Sequence, residues 1–361
     1  VTTGRRRLLG AIGGAVGLAA AGTAVGLLRQ QRSVGRDAGD EVAFGTLRSS
    51  PITVVADDGL PLHVEVDEVE EDDQPRRRRG QGRGPAVTVV FAHGYCLNLD
   101  SWHFQRAAYR GLVRTVYYDQ RSHGRSGRSE REHATIDQLG HDLRAVIEQV
   151  VPDGPVVLVG HSMGGMTVCA LAEHYPELIG DKVIGVALLS TTAGGLDVSR
   201  ILLPLLPARL TNRATHRAVA TLAVGHGAVD QVRRVGRFIA NVATSRFAFG
   251  GDVPPSYVSF VDDMLAATPF EVVADFFPSF SGLDKFDHVE VLDQVPVSVI
   301  CGTADKLTSV GHSRKLHARI PSSRLLECEG AGHMVPLERH DQVNAELDQL
   351  ITAATTRAGA R

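Results

Sequence analysis

One stretch of this chain leaves its fold little freedom: Val156-Val157-Leu158-Val159-Gly160-His161-Ser162-Met163-Gly164-Gly165. The apolar run predicts a buried strand, and the residues after Ser162 predict a helix from 163 to 175. A serine inside Gly-x-Ser-x-Gly at such a junction sits on a sharp turn, with its hydroxyl projecting above the sheet. Gly160 and Gly164 carry no β-carbon to clash where strand and helix approach each other. The pattern alone is common; its flanks give it meaning here.

The surrounding chain alternates in the same way. Strand-like runs cover 86–92, 113–118, 155–159, 183–189, 297–301 and 324–328, and helix-like segments cover 136–150, 163–175, 309–320 and 337–353. Strands separated by helices predict an α/β fold with a mainly parallel sheet flanked by helices. Residues 52–55 and 62–66, around Asp57-Asp58-Gly59, read as a hairpin preceding it. The alternation breaks between Thr191 and Asp287, where prolines and aromatics occur without clear strands. That stretch is too long for a plain loop and predicts a helical cap insertion. The resulting division is 1–40 as a signal or anchor segment, 41–190 and 288–361 as the two parts of the core, and 191–287 as the cap. Residues 67–85 join an acidic block to the arginine run 76–79, and read as a solvated loop whose charges neutralise each other.

A serine hydroxyl needs a base to take its proton. Gly330-Ala331-Gly332-His333-Met334 lies after the last strand, and its glycines let His333 reach back over the sheet. The base needs an acceptor that fixes its tautomer. Asp305 lies just beyond the strand at 297–301, on the same edge of the sheet as Ser162; Asp197 is the rival acid. The order Ser162, Asp305, His333 is the order of this type of triad. The Met163 N–H is expected to face a developing oxyanion, helped by the helix N-terminus. Phe91-Ala92-His93-Gly94-Tyr95-Cys96 supplies the second donor, assigned to the Tyr95 N–H, while its side chain is a candidate for lining the pocket. His93 is read as bracing that loop.

From residue 51 to 353 the chain resembles the α/β-hydrolase superfamily, in the cap-bearing branch with esterases, monoacylglycerol lipases, C–C bond hydrolases and cofactor-free haloperoxidases. The resemblance rests on His93-Gly94, on Asp119-Gln120-Arg121-Ser122-His123-Gly124-Arg125-Ser126, on the elbow at Ser162, and on Asp305 and His333. The family usually has glycine where Ser122 stands, in a loop whose role is structural. Members that are haloalkane dehalogenases or epoxide hydrolases mostly use an aspartate nucleophile, which a serine at 162 argues against.

These residues predict acyl transfer to Ser162 from a carboxylic ester or lipid with an apolar acyl chain, in a reaction that requires no cofactor or metal. Phe260, Phe270, Phe276, Phe277 and Phe280 are candidates either for the pocket wall or for ordinary cap packing. The same triad suits C–C bond hydrolysis, thioester or amide hydrolysis, or peracid formation, and an intact triad argues against a binding protein without activity. A formal net charge of -3 gives no basic field for nucleic acid. Cys96, Cys169, Cys301 and Cys328 form no metal or disulfide spacing, although Cys301 and Cys328 end neighbouring strands. At the N-terminus, Arg5 and Arg6 precede an apolar, Gly/Ala-rich run from Leu8 to Leu28. This resembles a twin-arginine signal and is also long enough to span a bilayer. A cleaved signal and a retained anchor both fit, and either places the enzyme in the cell envelope.

Overall fold

The computed structural model describes residues 42–70, 87–196 and 248–359. The N-terminal segment, the arginine run 76–79, Asp197 and much of the expected cap lie outside them. No helix among the described residues is long and apolar enough to cross a membrane.

Eight strands form one sheet in the order β1-β2-β4-β3-β5-β6-β7-β8. β1 (Pro51–Val55) and β2 (Pro61–Asp67) make the predicted hairpin, and β2 pairs antiparallel with β4 (Arg114–Tyr118). The rest are parallel: β3 (Thr88–Ala92), β4, β5 (Val156–His161), β6 (Val183–Leu189), β7 (Val297–Gly302) and β8 (Arg324–Cys328). β3, β5 and β6 are buried along their whole length, which is why they read as unbroken apolar runs and not as alternation.

Helices cover both faces. On one face lie α2 (Ile136–Val150), α3 (Met163–His174) and α6 (Val310–Arg319), which share a core with Val90, Leu158 and Val186. On the other lie α1 (His103–Tyr109) and α8 (His340–Gly359), around Phe91, Trp102 and Val157. α2 shows how local sequence starts an element. Thr135 caps it by accepting the Gln138 N–H, and Ile136, Leu139, Leu143, Val146 and Val150 fall on one buried stripe. The short α7 (Val335–Glu338) leads into α8. Above the sheet, α4 (Pro255–Ala267) and α5 (Phe270–Ser281) are the described helices of the insertion.

One sequence expectation changes, and one open possibility closes. Asp67 is not loop but the buried end of β2, because Arg106 of α1 is buried opposite it. The Arg106 guanidinium lies 2.7 and 2.9 Å from the Asp67 carboxylate and 2.8 Å from Glu65. The acidic block thus contains residues whose partners lie far along the chain, buried Asp67 with Arg106 and exposed Glu68 with Arg114. Register also rules out a Cys301–Cys328 bridge. Cys301 sits opposite Glu327, so Cys328 is one residue out of phase and faces the other side of the sheet.

Residues 44–49 form an N-terminal strap across this network. Phe44 stacks on Phe260 of α4 with centroids 4.5 Å apart, and meets Tyr257 and Phe104 edge-on. Arg48 pairs with Asp100, and the Ser49 N–H donates to Glu65 at 2.9 Å.

Burial alone would raise the carboxyls of Asp67 and Glu65. Hydrogen bonds from Arg106 and Ser49 outweigh it and hold both below their ordinary values. Such depressed groups stabilise the fold above the unfolded carboxyl range, and that contribution is lost as pH falls through the folded value. The melting temperature is expected to fall below about pH 4. Asp67→Asn should destabilise the protein by roughly 2–3 kcal/mol near pH 7 and flatten the acid fall. Thermal melts of both proteins across this range check it; identical pH profiles would show that the pair is not linked to folding.

Candidate active site

Three strand ends and one strand-helix junction converge at the carboxyl edge of the sheet. β5 runs directly into α3, and Ser162 between them has φ 53° and ψ -116°. This left-handed conformation costs a non-glycine residue about 1–3 kcal/mol. Surrounding bonds hold it. The Ser162 N–H donates to Leu189 O at 2.9 Å, and Ser162 O accepts the Thr191 hydroxyl at 2.6 Å. The flanking glycines are required by space: a β-carbon on Gly164 would lie 2.0 Å from Ala92 O, and one on Gly160 would lie 2.4 Å from Gly164 O.

The structure brings Ser162, His333 and Asp305 together. Ser162 Oγ lies 2.9 Å from His333 Nε2, and His333 Nδ1 lies 2.9 Å from Asp305 Oδ2. All three are buried. Nδ1 therefore carries the proton toward Asp305, leaving Nε2 to accept from the serine. Burial alone would raise the Asp305 carboxyl. The adjacent His333 and donors from Leu307 N–H and Thr308 outweigh this and hold it below its ordinary value.

Met163 follows Ser162 directly, and Tyr95 packs against the cluster that contains Met163. Met163 is the first residue of α3, and neither its amide nor that of Tyr95 donates to another group among the described residues. The Tyr95 side chain does not stay at the core edge. Its hydroxyl donates to Val273 O of α5 at 2.6 Å, and its ring meets Phe280 edge-on. His93 braces the loop as expected: Nδ1 donates to Gly94 O at 2.7 Å, and Nε2 accepts the Gln120 N–H at 2.9 Å. Burial lowers its pKa to about 3, so the ring is neutral.

The aromatic candidates divide. Phe276, Phe277 and Phe280 are buried and pack α5 against Met163, Met166, Ile136 and Leu139, while Phe260 packs on Phe44. Phe270 remains partly exposed. Ser122 has φ 65°, the conformation that accounts for glycine being usual in such a loop, and Asp119 ties the loop by accepting the Leu99 and Arg125 amides.

Two contributors escaped the sequence reading. Thr308 donates to Asp305 Oδ2 at 2.9 Å and lies 3.3 Å from His333 Nδ1. Its signal was available: an Asp-x-x-Thr turn in which the aspartate accepts following amides. His161, inside the elbow motif, donates from Nε2 to His333 O at 2.9 Å. Burial lowers its pKa to about 3, so it anchors the base loop as a neutral ring.

Comparison with known proteins bears on the family and the fold. A model described as "Alpha/beta hydrolase family" matches residues 89–346. An uncharacterized protein of Mycobacterium tuberculosis is 25% identical over 273 residues, covering 72% of each chain. A 3-oxoadipate enol-lactonase of Acinetobacter baylyi is 26% identical over 275 residues, 75% of this chain and 90% of its own. In structure, the chain is similar to a thermophilic esterase from Thermogutta terrifontis, with TM-score 0.65 and 21% identity over 85% of this chain and 100% of that one.

Proposed function

The chain belongs to the alpha/beta hydrolase family, and from that premise we propose that it is a serine hydrolase cleaving carboxylic esters with apolar acyl groups. The observation that carries this reading is the hydrogen-bonded series from Ser162 through His333 to Asp305. Ser162 Oγ attacks the ester carbonyl as His333 Nε2 accepts its proton, and Asp305 stabilises the imidazolium. The Tyr95 and Met163 N–H groups receive the oxyanion. His333 then protonates the departing alcohol, after which a water, deprotonated by His333, releases the acid from Ser162. Met163, next to Ser162, and Met334, next to His333, each belong to a buried apolar cluster, which favours an apolar acyl group. The enol-lactonase relative adds cyclic esters to the substrates worth testing.

The test is a panel of p-nitrophenyl esters of increasing chain length, with a lactone, a thioester and a vinylogous C–C substrate, alongside labelling by a fluorophosphonate. Labelling with preferential turnover of oxygen esters is the expected result. Labelling with turnover of the thioester or C–C substrate alone would move the reading to those reactions. No labelling and no turnover of any member would overturn it.

A further inference from the structure

The loop carrying His333 is held from two sides. On the elbow side, His161 donates to the His333 carbonyl. On the other side is a contact that reaches outside the core. Glu338, at the end of α7, accepts the Gly332 N–H on Oε1 at 2.7 Å and the Gly250 N–H on Oε2 at 3.0 Å. Gly332 immediately precedes His333. Gly250 belongs to the segment that leads into α4. The two segments are pressed together: a β-carbon on Gly250 would lie 2.3 Å from Gly330 O, and one on Gly332 would lie 2.4 Å from Gly250 N. The Met334 N–H also donates to Ala248 O at 2.8 Å, so bonds to this segment bracket His333 on both sides. Phe249 packs with Met334 and Leu337 beneath them.

We propose that Glu338 is a positioning residue that makes the placement of His333 conditional on the seating of residues 248–250. Its carboxylate suits this task because both of its partners are backbone donors from separate segments, and a carboxylate offers an acceptor to each. A change in the insertion is thereby transmitted to the base without any cap side chain touching substrate. The inference rests on the reading of His333 as the base.

Glu338→Ala is expected to lower kcat on p-nitrophenyl acetate by about tenfold to a hundredfold, the effect of a small displacement of a catalytic group, with KM nearly unchanged. Glu338→Gln keeps the shape but only one acceptor, and should fall between wild type and alanine. Gly250→Ala, which drives a β-carbon between the segments, should reproduce the kcat loss, and combining it with Glu338→Ala should add little. Wild-type kcat in a folded Glu338→Ala protein, a loss confined to KM, or full additivity in the double variant would overturn the proposal. If Glu338→Ala does not fold, Glu338→Gln decides by the same kcat and KM criteria. Fluorophosphonate labelling of the wild type separates the outcomes: failure to label refutes the serine-hydrolase reading, whereas labelling with an indifferent Glu338 refutes only this one.

Discussion

Replacing Ser162 by alanine is expected to abolish fluorophosphonate labelling and to lower kcat on p-nitrophenyl esters by roughly a million-fold. The size follows from the geometry. The only atom removed is the oxygen 2.9 Å from His333 Nε2, and with it goes the covalent intermediate. The fold should survive, because the bonds holding residue 162 in its left-handed turn use its backbone. Alanine retains that backbone strain but neither adds to it nor removes a brace. His333→Ala should be nearly as damaging, and the double variant no worse than the single ones, since members of a triad act as a unit. Ester hydrolysis at the wild-type rate by Ser162→Ala would refute the mechanism.

Asp305→Asn is expected to lower kcat by about ten-thousandfold. The amide can offer His333 a donor where a carboxylate only accepts, which favours the tautomer with the proton on Nε2, facing Ser162. Asp305 Oδ1 also accepts the Leu307 and Thr308 amides, at 2.8 and 3.0 Å. An asparagine therefore keeps its oxygen toward the backbone and presents its NH2 to the histidine, so the wrong tautomer is enforced. The Asp197 alternative makes the opposite forecast: a mild effect at 305 and a severe one for Asp197→Asn. Measuring both variants on one ester separates the two.

How much of this was legible in the sequence depended on how local the physics was. β6 and β8 were read to the residue, and α2 as well, because their apolar residues are contiguous or fall on one stripe with a cap in front. Ser162, His333 and Asp305 were readable because each lies in a turn at a strand end, where short-range chemistry dictates residue type. α1 was not. His103, Gln105 and Arg106 are buried there beside Phe104 and Tyr109, so polar residues occupy the inward face and erase the apolar period. Asp67 was misread for the same reason: a buried carboxylate is indistinguishable from a solvated one until its guanidinium partner is found. Glu338 reads as an ordinary end of a short helix, since both amides that it accepts come from segments whose meeting only tertiary structure reveals.

The strap at residues 44–49 carries a consequence for where the working unit begins. The sheet starts at Pro51 and the family match at residue 89, yet Phe44 is already clasped to α4 and Arg48 to the turn that follows the Tyr95 loop. In mechanical terms, the strap is a buckle fastening the roof to the floor from outside. Along the strap, Phe44 meets α4 first, Arg48 then meets Asp100, and Ser49 last reaches Glu65 of the sheet. Cutting the polypeptide at its first strand would keep every strand but undo the buckle, leaving Arg106 without Ser49 over its carboxylate partners and α4 without its aromatic clasp. The packed unit is therefore longer than its sheet.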